Sequence, residues 1–191
     1  MKIKIGFFAI ALTIALILTH SFEALACFLS AFIHELGHIA AAHKSNVRFR
    51  EMRLSPFGAS LVPASTLGSF SNEIFICMAG PAINMLCAIL TLSTPLRAFE
   101  FGQLFILSSL FLGILNLLPI SSFDGGRIVF CIIESLSSYK LAKNILCVSS
   151  FILIFSLWTL SLYFLIKASA SLSLFVFSCS LFAKLFILNE C

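Results

Sequence analysis

FEALACFLSAFIHELGHIAAAH, from Phe22 to His43, is an apolar stretch with two histidines and a glutamate in its second half. A helix of about 20 apolar residues crosses the hydrocarbon core of a bilayer, so the stretch reads as a transmembrane helix. On that helix His34 and His38 lie four residues apart and project from one face. Two imidazole nitrogens can then converge on one metal ion, with Glu35 beside them as a candidate base for a metal-activated water. The pentapeptide His34-Glu35-Leu36-Gly37-His38 also fits two histidines hydrogen-bonded between packed helices, or a chance match. Location favours function. A carboxylate at the bilayer centre costs roughly 2.5 to 3.5 kcal/mol on insertion scales, so such groups are usually retained for what they do.

The rest of the chain agrees with a membrane setting. Hydrophobic residues make up 60% of the 191 positions and charged residues 10%, too few charges to cover a soluble globule. One membrane-embedded domain over residues 1–191 is expected, since apolar segments leave no room for a soluble domain of ordinary size. The net charge of +4 comes from Lys and Arg scattered at segment ends, which orients a membrane protein and does not form a nucleic-acid groove. Of seven cysteines, six lie in apolar runs and none forms a CxxC pair, so they read as small buried hydrophobes and no disulfide is expected.

Apolar segments of spanning length fall near 4–20, 22–43, 72–93, 102–121, 144–166 and 169–188, which predicts about six transmembrane helices. Lys2, Lys4, the apolar run behind them and Ala24-Leu25-Ala26 have the form of a signal peptide. Cleavage after Ala26 would truncate the helix of His34 and His38, so an uncleaved first span is expected. With a cytoplasmic N-terminus, Lys44, Arg48, Arg50, Arg53, Lys140 and Lys143 all fall inside, and both termini are expected in the cytoplasm.

Between the second and third spans, Val47–Leu54 partly alternates apolar and charged residues, Pro56-Phe57-Gly58 supplies a turn, and Ala59–Val62 can return as a second short strand. The segment reads either as a cytoplasmic loop or as a re-entrant β-hairpin. Non-helical backbone lies at membrane depth only beside protein or a water-filled cavity, so a re-entrant hairpin would mark a hydrated site. An edge strand around Gly58 could pair with an unwound substrate.

Catalytic zinc usually has three protein ligands, so a third is needed. Asp124, the only aspartate, follows Pro119 and precedes Gly125-Gly126, which can break the helix and re-aim the carboxylate inward. His34 lies about 18 Å into its span, whereas a straight helix from Phe101 would carry Asp124 to about 34 Å, so the chain must tilt, kink or double back there. His43, Glu23, Glu73 and Glu134 are other candidate ligands. The three carboxylates are expected at solvated boundaries, and His43 toward the basic loop.

Two motifs carry a resemblance. His34–His38 is similar to the metal and base motif of the site-2 protease family of intramembrane metalloproteases, and Asn116-x-x-Pro119-x-x-x-x-Asp124-Gly125 to its second motif. Ala79-Gly80-Pro81-Ala82-Ile83-Asn84 also resembles the family's core, and the likeness runs over about residues 27–136. The order of segments is most similar to the branch containing stage IV sporulation protein FB, with no CBS or PDZ domain expected here.

The resemblance implies one Zn2+ held by His34, His38 and Asp124, with Glu35 as base, in a catalytic core of about 22–136. It implies cleavage of membrane-associated or transmembrane proteins, a membrane regulatory partner, a bacterial cytoplasmic membrane and a sporulation process. Asn116 either binds the substrate backbone or oxyanion or ties the broken helix. Gly80, Pro81 and Asn84 either line the site, with Asn84 on substrate, or let helices pack closely. A catalytically inactive zinc-binding membrane protein or a transporter is the alternative. A transporter would spread its ligands along a pathway, whereas these cluster at one depth.

Overall fold

Ser21 starts the first described helix by a local hydrogen bond: its hydroxyl accepts from the Ala24 amide at 3.3 Å. That helix, α1, spans Phe22–Lys44, with Glu23 in its first turn and His43 and Lys44 in its last, charges that suit the two ends of the helix dipole. The computed structural model describes residues 2–5, 21–45, 49–55, 58–63, 69–168 and 172–187. The chain divides into two compact units, residues 1–115 and 116–191.

In the first unit, β1 (Lys2–Ile5), β2 (Phe49–Ser55) and β3 (Gly58–Pro63) form a sheet in that order. β1 runs parallel to β2, with Lys2 opposite Glu51. Parallel neighbours need a long crossover, and the connection between β1 and β2 contains α1. β2 and β3 are antiparallel, Ser55 opposite Gly58 and Phe49 opposite Pro63, with an irregularity between Phe49 and Glu51. β3 is therefore an edge strand of this sheet. α2 (Phe70–Leu92), a 3-10 turn at Pro95–Ala98 and α3 (Glu100–Asn116) follow.

α1 and α2 meet through small and polar residues. The buried stripe of α1 is Ala26, Ser30, His34, His38 and Ala42 at every fourth position, joined by Gly37 and Ala41. That of α2 is Ile76, Gly80, Asn84 and Ala88, again at every fourth position. Contacts run in opposite order along the two helices: His38 meets Ile76, and His34 meets Asn84. α1 and α2 are thus locally antiparallel. Phe22, Leu25, Phe28, Phe32 and Leu36 face outward on α1. Large apolar residues outside and small ones within is the arrangement expected where lipid, not water, surrounds the helices. Ser108 Oγ adds a bond from α3 to the Ala26 carbonyl at 3.4 Å.

The second unit contains α4 (Asp124–Leu136), α5 (Tyr139–Ala168) and α6 (Leu172–Ile187). Its core gathers Ile120, Ile154, Leu181 and Leu185. Ser161 and Ser178 share a buried hydrogen bond of 3.0 Å between α5 and α6.

Three described helices are long and apolar enough to cross a membrane: Phe22–Lys44, Phe70–Leu92 and Tyr139–Lys167. The first expected span lies largely outside the described residues, with Lys4 and Ile5 in β1. The fourth, expected over 102–121, ends at Asn116, ahead of Pro119, which cannot continue an α-helical ladder. The apolar run after Asp124 forms a separate helix, α4. Cys147 is disulfide-bonded, a correction to the expectation of thiols throughout; spacing in the sequence carries no signal for such a pairing. Cys27, Cys77, Cys87, Cys131 and Cys179 are thiols, outside any disulfide.

A Cβ at Gly37 would stand 2.7 Å from the Ala79 carbonyl oxygen, which is backbone and cannot swing aside. Gly37→Val is expected to force α1 and α2 apart at a cost of about 1–3 kcal/mol. The apparent melting temperature of the detergent-solubilised protein should fall; an unchanged value would contradict so close an approach.

Candidate metal centre

Four-residue spacing places His34 and His38 on the buried face of α1, 5% and 6% exposed. Their rings are edge to face, centroids 4.8 Å apart, and their Nε2 atoms approach to 3.2 Å. His38 Nδ1 lies 2.8 Å from the Ile76 carbonyl oxygen. A carbonyl only accepts, so Nδ1 carries the proton and Nε2 holds a lone pair directed at His34. Two nitrogens about 2.0–2.1 Å from one tetrahedral zinc stand about 3.3 Å apart, so the observed spacing fits a shared ion.

Gly80 of α2 lies across from both rings. A Cβ there would overlap His38 Nε2 and stand 2.9 Å from His34 Cε1. Only a hydrogen fits at this position, so glycine keeps side-chain atoms away from His38 Nε2. Pro81, next in sequence, interrupts the α2 ladder within this turn. Asn84, fully buried, places its amide nitrogen 3.3 Å from His34 Nδ1.

Asp124 is the first residue of α4, where a carboxylate complements the positive end of the helix dipole. The loop before it is pinned to α5. Ser149 Oγ donates to the Pro119 carbonyl at 2.9 Å, and Ser150 Oγ accepts from the Ser121 amide at 2.8 Å. Ile120 is fully buried, and Phe123 N–H donates to its carbonyl at 2.9 Å. Side chains at Gly125 and Gly126 would overlap the carbonyls of Leu117 and Ile120, so the paired glycines let the loop fold against the start of α4.

His34 and His38 each offer one imidazole nitrogen to a metal, and Asp124, in the second unit, offers a carboxylate. Two imidazoles and a carboxylate are the donor set of catalytic zinc sites, which keep a fourth position open. Glu35, half-buried with Oε2 buried, follows His34 directly.

The other residues singled out in the sequence are placed differently. Asn116 is half-buried at the end of α3, and Gly58 opens β3 opposite Ser55. His43 and Glu23 are exposed, and Glu134 is half-buried. Glu73 is buried in the first turn of α2 rather than at a solvated boundary. Sequence reasoning missed the roles of Ile76, Ser149 and Ser150. For Gly80 and Asn84 the signal was present: they are four apart, hence on one face, as His34 and His38 are.

The profile of peptidase family M50 matches residues 22–95 and 92–160. The chain is 33% identical over 128 residues to a zinc metalloprotease of Methanocaldococcus jannaschii, covering 62% of this chain and 37% of that protein. To stage IV sporulation protein FB of Bacillus subtilis it is 31% identical over 159 residues, covering 75% of this chain and 52% of that protein. The matches thus span 37% and 52% of the lengths of these two relatives. Among solved structures, the site-2 protease from Methanocaldococcus jannaschii superposes with a TM-score of 0.64 at 23% identity, covering 94% of this chain and 86% of that one, a likeness of fold. Two histidines on one buried helix face, the likeness of fold and the matched segments agree: the chain belongs to peptidase family M50.

Proposed function

We propose that the chain is an intramembrane zinc metalloendopeptidase that hydrolyses peptide bonds of membrane-associated or transmembrane proteins. One observation carries the reading: His34 and His38 bring their Nε2 atoms to 3.2 Å on one buried helix face, with Glu35 adjacent in sequence to the first. His34, His38 and Asp124 would hold one Zn2+. The bound ion supplies a Lewis acid that lowers the pKa of a water toward about 7. Glu35 accepts the proton from the attacking water and returns it to the leaving amine. His38 is held in the Nδ1–H tautomer by the Ile76 carbonyl, so its Nε2 stays available. Asp124 and Glu35 together balance the charge of the ion, which lowers the cost of two carboxylates in an apolar setting.

Within this reading the 191 residues form one membrane domain with a catalytic core of about 22–136, six crossings and both termini in the cytoplasm of a bacterium. A peptide bond within a substrate helix is shielded by its own ladder. The β2–β3 pair re-enters the membrane, and β3, from Gly58 onward, pairs along its edge with the unwound substrate and replaces the hydrogen bonds lost from the helix. Asn116 binds the substrate backbone. Substrates are tethered in or on the membrane, and a membrane partner regulates their delivery, in a process similar to the one for which the Bacillus subtilis relative is named.

Glu35→Gln should retain zinc and lose cleavage by roughly 100-fold or more. The same variant, used as a trap in the native membrane, supplies the substrate to be assayed; undiminished cleavage of a trapped protein would refute the role of Glu35. Asp124→Ala should lose zinc as well as activity, which separates a ligand from a base.

Gly80→Ala tests the space beside the imidazoles. A methyl group there displaces His38 Nε2, so zinc content should fall on metal analysis of the purified protein while its helical circular dichroism is unchanged. Full zinc occupancy would mean that α2 stands farther from the rings.

Single proline substitutions at Ala59, Ser60 and Leu61 remove strand donors from β3. At least one should slow substrate cleavage with zinc content preserved. Wild-type rates in all three would remove edge pairing from the mechanism.

A further inference from the structure

Asn84 has an unresolved polar account. The residue is fully buried, its amide nitrogen sits 3.3 Å from His34 Nδ1, and its Oδ1 is buried with no hydrogen-bond partner. A buried carbonyl left without a donor costs about 1–3 kcal/mol. The nitrogen and oxygen of an asparagine amide have nearly the same shape, and their assignment follows the hydrogen-bond network around them.

Two networks are open to these three side chains, and they differ in where one proton sits. In the first, Asn84 Nδ2–H donates to His34 Nδ1, so the proton of His34 is on Nε2 and points at His38 Nε2 across 3.2 Å. This arrangement satisfies both imidazoles without an ion. It leaves Asn84 Oδ1 orphaned, and it blocks the His34 lone pair that a metal needs. In the second, the amide is turned by half a rotation, Oδ1 accepts from His34 Nδ1–H, and His34 Nε2 is bare. Both Nε2 lone pairs then face one point, an arrangement that only a cation between them makes favourable.

We infer that Asn84 is a positioning residue for the metal: with zinc bound, its side-chain oxygen accepts from His34 Nδ1–H and fixes the tautomer that presents Nε2 to the ion. This rests on the proposal that His34 is a zinc ligand. Ile76 does the same for His38 with a backbone carbonyl. The two ligands are thus oriented from α2 by two acceptors eight residues apart in sequence, with Gly80 midway between them. In this role Asn84 acts through His34 and not by contact with substrate.

The test measures zinc affinity by chelator competition on the purified wild-type chain, Asn84→Leu and Asn84→Asp. Leucine fills a similar volume with no acceptor, and aspartate offers only acceptors. Asn84→Leu should bind zinc roughly 10- to 100-fold more weakly. Asn84→Asp should bind as tightly as wild type or tighter. Equal affinity of wild type and a folded Asn84→Leu would overturn the inference and leave the metal reading intact, as would loss in a folded Asn84→Asp equal to that in the leucine variant. Failure of wild type to take up zinc would overturn both.

A second measurement needs no variant at Asn84. In wild-type protein with 15N-labelled histidine, zinc addition should place the His34 proton on Nδ1, with resonances assigned from a His34→Gln sample. A His34 proton that remains on Nε2 in the zinc-loaded protein would overturn the inference even if neither substitution at Asn84 folds.

Discussion

The hydrogen bond from His38 Nδ1 to the Ile76 carbonyl fixes more of this structure than its 2.8 Å suggests. It joins α1 to α2 at one height, decides which nitrogen of His38 is free, and sets the distance at which Gly80 and Asn84 meet the two rings. In water a shift of one helix against the other could be compensated by solvent. In lipid no solvent replaces a lost partner, so the register of two packed helices is set by their few polar contacts as much as by their shape. The small residues on both faces permit the approach, and the imidazole fixes it.

The same rule explains the segment before Asp124. Residues 117–123 lie between two helices and have no helical ladder, yet Ile120 is fully buried. Backbone of this kind survives away from water only where other groups satisfy it. Ser149 takes the Pro119 carbonyl and Ser150 the Ser121 amide, from adjacent positions on α5. Pro119 ends the preceding ladder, and the two glycines allow the loop to press on the start of α4. Asp124 is therefore held by its backbone neighbours.

What the sequence made legible was local and periodic. The four-residue spacing of His34 and His38 needs only helix geometry, and α1 begins and ends within a residue of the stretch expected to span. Pro119 was read correctly as a break, and a separate helix starts at Asp124. The misses concern partners distant in sequence. Nothing in the spacing of Ile76 shows that its carbonyl accepts from His38, because a backbone acceptor has no residue code. Ser149 and Ser150 sit in an apolar run as ordinary small residues. The disulfide at Cys147 gave no sign for the same reason. Glu73 was taken for a boundary residue because burial depends on what packs over the first turn of α2.

Gly80 and Asn84 fall between these cases. Each position alone is ambiguous, since glycine and asparagine in a span serve packing as readily as chemistry. Taken with Ile76 they form a single stripe at four-residue intervals, 76, 80 and 84, opposite the stripe 34, 38 and 42. A helix that must hold two imidazoles four residues apart needs, on its antiparallel neighbour, an acceptor for each outer nitrogen and clearance between them. Those needs recur with the same period as the histidines themselves. In the proposed metal-bound arrangement, acceptor, glycine, acceptor at intervals of four would be the complement that the histidine pair demands from the helix packed against it. The histidine pair explains the position of Asn84 better than packing alone does, because packing at that depth would be met as well by alanine.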